Sequence, residues 1–337
     1  PDPRNPFISP DGTRVGFFDG RNSLQRVSIL GGPPVTITDI QGQPRGASWG
    51  SDDTIVFAAG NPESGLLRVA VGGGEVETLT VPDPEQGERD HLWPEILPGG
   101  ESVLFTIRTN GPLENAQVAV LSLQTGEYDV LFPGGSSARY VPTGHIVYGV
   151  GGTLRAVGFD LDTLTVTTEP IPVIEEVLMG PAGEANFDIA QDGSLLYVSG
   201  TSGGVAGVDL VWVDQEGNKE LLPAEPGNYA APRLSPDGSR VALQVRDIDG
   251  NSDILTYDIS RNNFSQFTFD IFFFEHPFFD GHQHFAGFIE TVHIGVEIHF
   301  RFHHQCCITL SLVGVVISDK ICVGAFFDPV TLNEDVR

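Results

Sequence analysis

The stretch FISPDGTRVGFF at residues 7–18 returns, little changed, as LSPDGSRVALQV at residues 234–245. In both copies Ser-Pro-Asp-Gly is followed by Thr or Ser, then Arg-Val and a short apolar run. Pro presets φ, Asp accepts local hydrogen bonds and Gly takes up positive φ, so the tetrapeptide predicts a tight turn between two strands. With its glycine as anchor, equivalent turns fall at Gly12, Asp53 (WGSDD), Gly100 (LPGGE), Gly144 (VPTGH), Gly193 (AQDGS) and Gly238, at intervals of 41, 47, 44, 49 and 45 residues. The two copies are the first and sixth members of one degenerate series.

Each turn leads into a β-type run (RVGFF, TIVFAA, SVLFTI, HIVYGV, LLYVS, RVALQV), then a Gly- or Asn-bearing break and a second run (LQRVSI, LLRVAV, QVAVLSL, TLRAVGF, DLVWVD, DILTYDI). A polar turn and a third run follow. Ahead of the turn, Ile8, Trp49, Ile96, Tyr140, Ile189 and Leu234 stand four residues before the anchor. Phe7, Ser48, Glu95, Arg139, Asp188 and Arg233 stand five before it. Bulky and mostly polar positions thus alternate in register across six units, the period-2 pattern of a half-buried strand. A repeat of 40–50 residues with four strands predicts a β-propeller blade, whose sheet is buried only when its neighbours stack on it. The expected fold is all-β: four-stranded antiparallel blades, six recognisable over residues 1–270, with a seventh possible from 271–337.

Composition agrees with many short strands: 41 Gly and 24 Pro in 337 residues, and no heptads or sustained helical stripe. Acidic residues outnumber basic ones 45 to 18, for a net charge of −27. Such a surface repels phosphate backbones and anionic lipid, which argues against nucleic acid as a partner. Cys306, Cys307 and Cys322 are all C-terminal, so the body needs no disulfide framework in either redox compartment. The chain starts Pro-Asp-Pro-Arg with no signal-like segment and reads as a piece of something longer. Its longest apolar stretch, ITLSLVGVVIS at 308–318, is too short to span a bilayer.

FISPDGTRVGFF and LSPDGSRVALQVRDIDGNSDILTYDIS resemble the WD40-like repeats of the TolB-type propeller family. GLLRVAVGGGEVETLT, WPEILPGGESVLFTI and ARYVPTGHIVYGVGGTLRAVGFDLD are similar to the propellers that follow a membrane span in many bacterial serine/threonine protein kinases. The resemblance covers about residues 1–270. It implies an extracytoplasmic, non-catalytic module for protein interaction or ligand sensing, with a protein partner or a small molecule in the central channel. The chain holds no kinase signature of the VAIK, HRD or DFG kind, and nothing in it points to a cofactor.

After FTFD at 267–270 the pattern breaks. Residues 271–337 hold seven of the nine His, all three Cys and 11 of the 22 Phe. One reading is a seventh blade of different ancestry, with VHIGVEIHFRF (292–302) alternating as a strand; the other is a tail translated out of frame, leaving the ring open or poorly closed.

Among candidate sites, the position five before the anchor faces the hub, where Glu95, Arg139, Asp188 and Arg233 alternate in sign on consecutive blades. They read either as compensating ion pairs that fill the channel or as a polar funnel for a ligand, with His91 joining from the same strand face. Gly200-Thr201-Ser202-Gly203-Gly204 matches the nucleophile elbow G-x-S-x-G. A strand follows it where the elbow needs a helix, so the hairpin reading competes with a catalytic Ser202 in an esterase-like hydrolase. Asp247, Asp249 and Asp253 around Gly250 resemble part of a calcium loop but also fit an ordinary turn. His293, Glu297, His299 and His303 share a strand face at a spacing wide for one ion, and Cys306-Cys307 lacks a second pair at zinc spacing, so no metal site is assigned.

Overall fold

The computed structural model describes residues 2–266 and 268, except 21, 62, 201–207, 225–226 and 248–249; all fall within the first of two units into which the chain divides, Pro1–Glu275. Strands dominate, and two single-turn 3-10 helices, Pro84–Gln86 and Leu113–Asn115, are the helical content of the described residues. The strands form six antiparallel sheets, each taking its strands in chain order, with residues 4–39, 47–78, 88–133, 136–174, 187–221 and 228–266 as blades 1 to 6. In blade 4 the outer position is shared by Thr165–Val166 and Ile171–Ile174, which pair with opposite ends of Thr153–Asp160. The first strands of the blades, Arg4–Ile8, Ala47–Trp49, Glu88–Ile96, Ser136–Val141, Phe187–Ile189 and Asn228–Leu234, touch one another in a closed cycle and are therefore innermost.

Alternation makes both faces of every blade apolar. In Arg14–Phe18, Phe18 packs toward blade 2 with Trp49 and Phe57, while Val15 and Phe17 pack toward blade 6 with Ala242 and Ile254. Six such clusters fill the six spaces between adjacent blades. Each buried Phe or Ile contributes about 1.5–3 kcal/mol relative to exposure, and a blade on its own would forfeit that on two faces. The ring of six closes at the space between blades 6 and 1. The two sheets meet there directly, and closure rests on side-chain packing alone, with every described strand paired inside its own blade. Residues 271–337 lie outside the described residues.

The repeated tetrapeptide is the turn from the innermost to the second strand. In blade 1, Ser9 Oγ donates to Asp11 Oδ1 at 2.5 Å, Thr13 N donates to the same oxygen at 3.0 Å, and Gly12 N donates to Ser9 O at 2.8 Å. Blade 6 repeats this with Ser235, Asp237, Ser239 and Gly238 at 2.5, 3.1 and 2.8 Å. All six anchors are left-handed: Gly12 (φ 69°), Asp53 (58°), Gly100 (75°), Gly144 (78°), Gly193 (91°) and Gly238 (68°). A Cβ at Gly238 would meet only Ala190 Cβ, at 3.7 Å, so any cost there is backbone strain. Asp53→Gly is expected to stabilise the fold and Gly238→Ala to destabilise it, each by about 1 kcal/mol. Opposite shifts of the urea midpoint at unchanged slope would show it.

Candidate functional site

Five residues before the anchor, the side chains of Ser48, Glu95, Arg139 and Asp188 reach to the next blade. Ser48 Oγ accepts from Ile96 N at 3.0 Å, and Asp188 Oδ2 accepts from Leu234 N at 2.7 Å. Arg139, 5% exposed, donates through Nη1 to Glu95 on the preceding blade and holds Nε 3.6 Å from Asp188 Oδ1 on the following one. The sign alternation read in the sequence is thus a physical chain, Glu95–Arg139–Asp188, across three blades. Burial pushes the Glu95 carboxyl up, Asp188 adds to that, and Arg139 and Arg233 oppose it.

Arg233 is placed differently. Its hydrogen-bond partners are two carbonyls, Pro232 O at 2.7 Å and Phe187 O at 3.5 Å, both on Nη1. Burial first, then repulsion from Arg139, pulls its guanidinium down to about 10 against the pull of Asp188 and Glu95. It lines a cavity of about 230 Å³ at the turn end of the channel, together with Phe7, Ser48, Trp49, Glu95 and Asp188. Phe7 packs against Trp49 with ring centroids 5.9 Å apart and planes tilted by 57°, so this mouth is apolar along one arc and charged along the other.

His91 does not join the channel, which corrects the expectation drawn from strict alternation. The innermost strand of blade 3 carries a β-bulge: Glu95 pairs with Leu104 and Leu92 with Thr106, and Trp93 is left-handed at φ 54°. One residue of slip exchanges the two faces. His91 is therefore fully buried toward blade 2, its Nδ1 2.8 Å from Thr80 Oγ1 and its Nε2 3.1 Å from Glu88 Oε2, between the rings of Phe105 and Tyr128.

The bulge recurs seven residues before the anchor, where Asn5 (φ 50°), Gly46 (93°), Trp93 (54°), Ser137 (54°) and Ala231 (48°) are all left-handed. Asn and Gly at this position were the available signal, since these types tolerate that conformation. Sequence reading missed the most consequential product, Trp93. Its indole Nε1 donates to Ala182 O, in the segment leading into blade 5, at 3.1 Å; a Cβ at Gly46 of blade 2 would sit 2.8 Å from its ring. One buried side chain of blade 3 thus touches both Gly46, at the start of blade 2, and the segment leading into blade 5.

Ser202 and Asp249 lie outside the described residues, as do His293, Glu297, His299, His303, Cys306 and Cys307. Asp247 accepts from Asn251 N at 2.8 Å and from its amide at 2.9 Å, and Asp253 accepts from Thr268 Oγ1 at 2.9 Å. Asp214 and Asn218 repeat the first arrangement at 2.7 and 2.8 Å, so the acidic loop has the hydrogen bonding of a turn used elsewhere in this ring. Among the described residues no helix is long and apolar enough to cross a membrane.

No protein-family model and no curated protein sequence matches the chain. Solved structures do: TolB from Acinetobacter baumannii aligns with TM-score 0.58 at 19% identity, covering 76% of this chain and 63% of that one. A luciferin-regenerating enzyme aligns with TM-score 0.56 at 10% identity, covering 75% and 90%. A puromycin-hydrolyzing peptidase of Mycobacterium tuberculosis aligns with TM-score 0.53 at 14% identity, covering 78% and 53%. The chain therefore spans under two thirds of TolB and about half of the peptidase. The likeness is one of fold, and it is the TolB-like propeller expected from the repeats.

Proposed function

We propose that this chain is a non-catalytic binding propeller that receives a protein segment or a small polar molecule at the turn end of its channel. The observation that carries this is Arg233, a half-buried guanidinium whose hydrogen bonds go to carbonyls from a single nitrogen and which opens on a cavity with Glu95 and Asp188 opposite Phe7 and Trp49. A ligand end bearing both an acceptor and a donor, beside an apolar group, matches that lining better than a uniformly charged or uniformly apolar one. A placement outside the cytoplasm goes with the family resemblance.

A thermal-shift screen of amino acids, dipeptides and short oligosaccharides tests the reading. Expected are compounds that raise Tm in the wild type and have no effect on Arg233→Gln. Turnover of ester, glycoside or lactone substrates that disappears in Ser202→Ala would replace this reading with an esterase-like hydrolase on the same scaffold.

A further inference from the structure

A second cavity, of about 440 Å³, opens at the end of the blades opposite the Ser-Pro-Asp-Gly turns. The loop from second to third strand lies at the far end of the second strand from the repeated tetrapeptide, and two such loops contribute. They are the 3-10 turn Leu113–Asn115 of blade 3 and the Gly151-Gly152 turn of blade 4. The remaining wall is the segment leading into blade 5, with Leu178, Met179 and Pro181. No residue lining this cavity also lines the mouth at Arg233.

The walls are held in place by their own hydrogen bonds. Met179 bridges Ala185 in an antiparallel pair, Gly180 N donates to Glu184 O at 2.8 Å and Gly183 N to Gly180 O at 3.1 Å, so residues 178–186 form a closed hairpin. Trp93 Nε1 donates to that hairpin at Ala182 O, and Ser136 Oγ donates to it at Gly183 O. A Cβ at Gly149 would come within 2.7 Å of Ala185 Cβ and 3.0 Å of the Met179 thioether, so only glycine lets the hairpin lie directly on the second strand of blade 4. On the other side, Ala116 O accepts from Gly134 N at 2.7 Å and from Gly135 N at 3.2 Å, which ties the exit of the 3-10 turn to the connection between blades 3 and 4. A site built in advance spares its ligand the cost of ordering it.

The lining selects the ligand. Leu113, Val150, Leu178, Met179 and Pro181 supply apolar surface, and seven glycines leave peptide planes bare between them. Of the two polar side chains, Ser136 is engaged with Gly183 O, whereas Glu114 is exposed and its carboxylate has no hydrogen bond or ion pair among the described residues. The volume is that of sites for small organic molecules. A flat ring suits bare peptide planes and the edge of a thioether, and a lone carboxylate favours a cation beside it.

We propose that this cavity binds a small aromatic ammonium ion, an arylalkylamine, with its ring against Leu113, Leu178 and Met179 and its ammonium at Glu114. The site is separate from the one proposed at Arg233 and does not depend on it.

Met179 is the only methionine in the chain, so isotope labelling of the methionine methyl gives an NMR signal from inside the cavity, which Met179→Leu assigns. Titration of the full chain with phenethylamine at constant ionic strength should move that signal saturably. Phenylethyl alcohol, of the same shape but neutral, should bind about three- to fivefold more weakly, and the anionic hydrocinnamate more weakly still. Glu114→Gln should bring phenethylamine down to the level of the alcohol and leave the alcohol unchanged, which separates this carboxylate from the general attraction of an acidic chain. Leu113→Ala should weaken all three, and Arg233→Gln should alter none, so failure here and failure of the turn-end site are told apart. A Met179 signal that no probe moves would overturn the proposal, as would hydrocinnamate binding as tightly as phenethylamine. Should Leu113→Ala fail to fold, equal binding of phenethylamine by wild type and Glu114→Gln overturns it on its own, since Glu114 is an exposed loop residue.

Discussion

Arg139→Met is expected to destabilise the propeller by about 3–5 kcal/mol, the cost of leaving a buried charge without its partner. Arg139 holds Glu95 on one side and Asp188 on the other, and its loss strands both carboxylates in the hub. At about 2–4 °C per kcal/mol for a domain of this size, Tm should fall by roughly 10 °C. Glu95→Gln added to Arg139→Met should recover a substantial part, because the penalty is uncompensated charge rather than lost packing. Acid should recover some of it too. The Glu95 carboxyl is raised above its ordinary value in the fold, so its ionisation opposes folding: the stability it contributes is full below its unfolded pKa and is lost as pH rises through the folded one. With Arg139 gone the folded value climbs further. The deficit between variant and wild type should therefore be larger at pH 8 than at pH 4. Equal deficits at the two pH values would show that Arg139 acts through shape alone.

The charged chain was legible in the sequence because two regularities coincide. The turn pins one left-handed residue per blade, from Gly12 to Gly238, and the two residues four and five before it sit on the regular part of the innermost strand. Strict alternation holds over that short reach, so Glu95, Arg139 and Asp188 were brought together correctly. It fails two residues earlier. The bulge at Asn5, Gly46, Trp93, Ser137 and Ala231 turns the face over, which is why His91 is buried toward blade 2 and Trp93 reaches Ala182 instead. A bulge is a backbone event, and Trp, Ser and Ala at that position carry no propensity that announces it.

Closure of the ring carries a signal in the apolar faces of blades 1 and 6. In an open ring, Val15 and Phe17 on blade 1 and Ala242 and Ile254 on blade 6 would face water, yet both strands are as apolar on those faces as on the others.

The second large effect is expected at that seam. Phe17→Ala should cost about 3–5 kcal/mol and Ile254→Ala about 2–5 kcal/mol, since both side chains are almost wholly buried and the surrounding sheets can collapse only partly into the space. The size of either loss shows burial, not where the partner lies. Their coupling shows that, because the two residues are 237 positions apart and meet only if blade 6 packs on blade 1. The decisive measurement is a double-mutant cycle of unfolding free energies for Phe17→Ala, Ile254→Ala and the pair. A six-bladed ring closed by sheet packing predicts a coupling of about 0.5–3 kcal/mol. Additivity within about 0.5 kcal/mol would contradict it and return the seam to an open or seven-bladed arrangement.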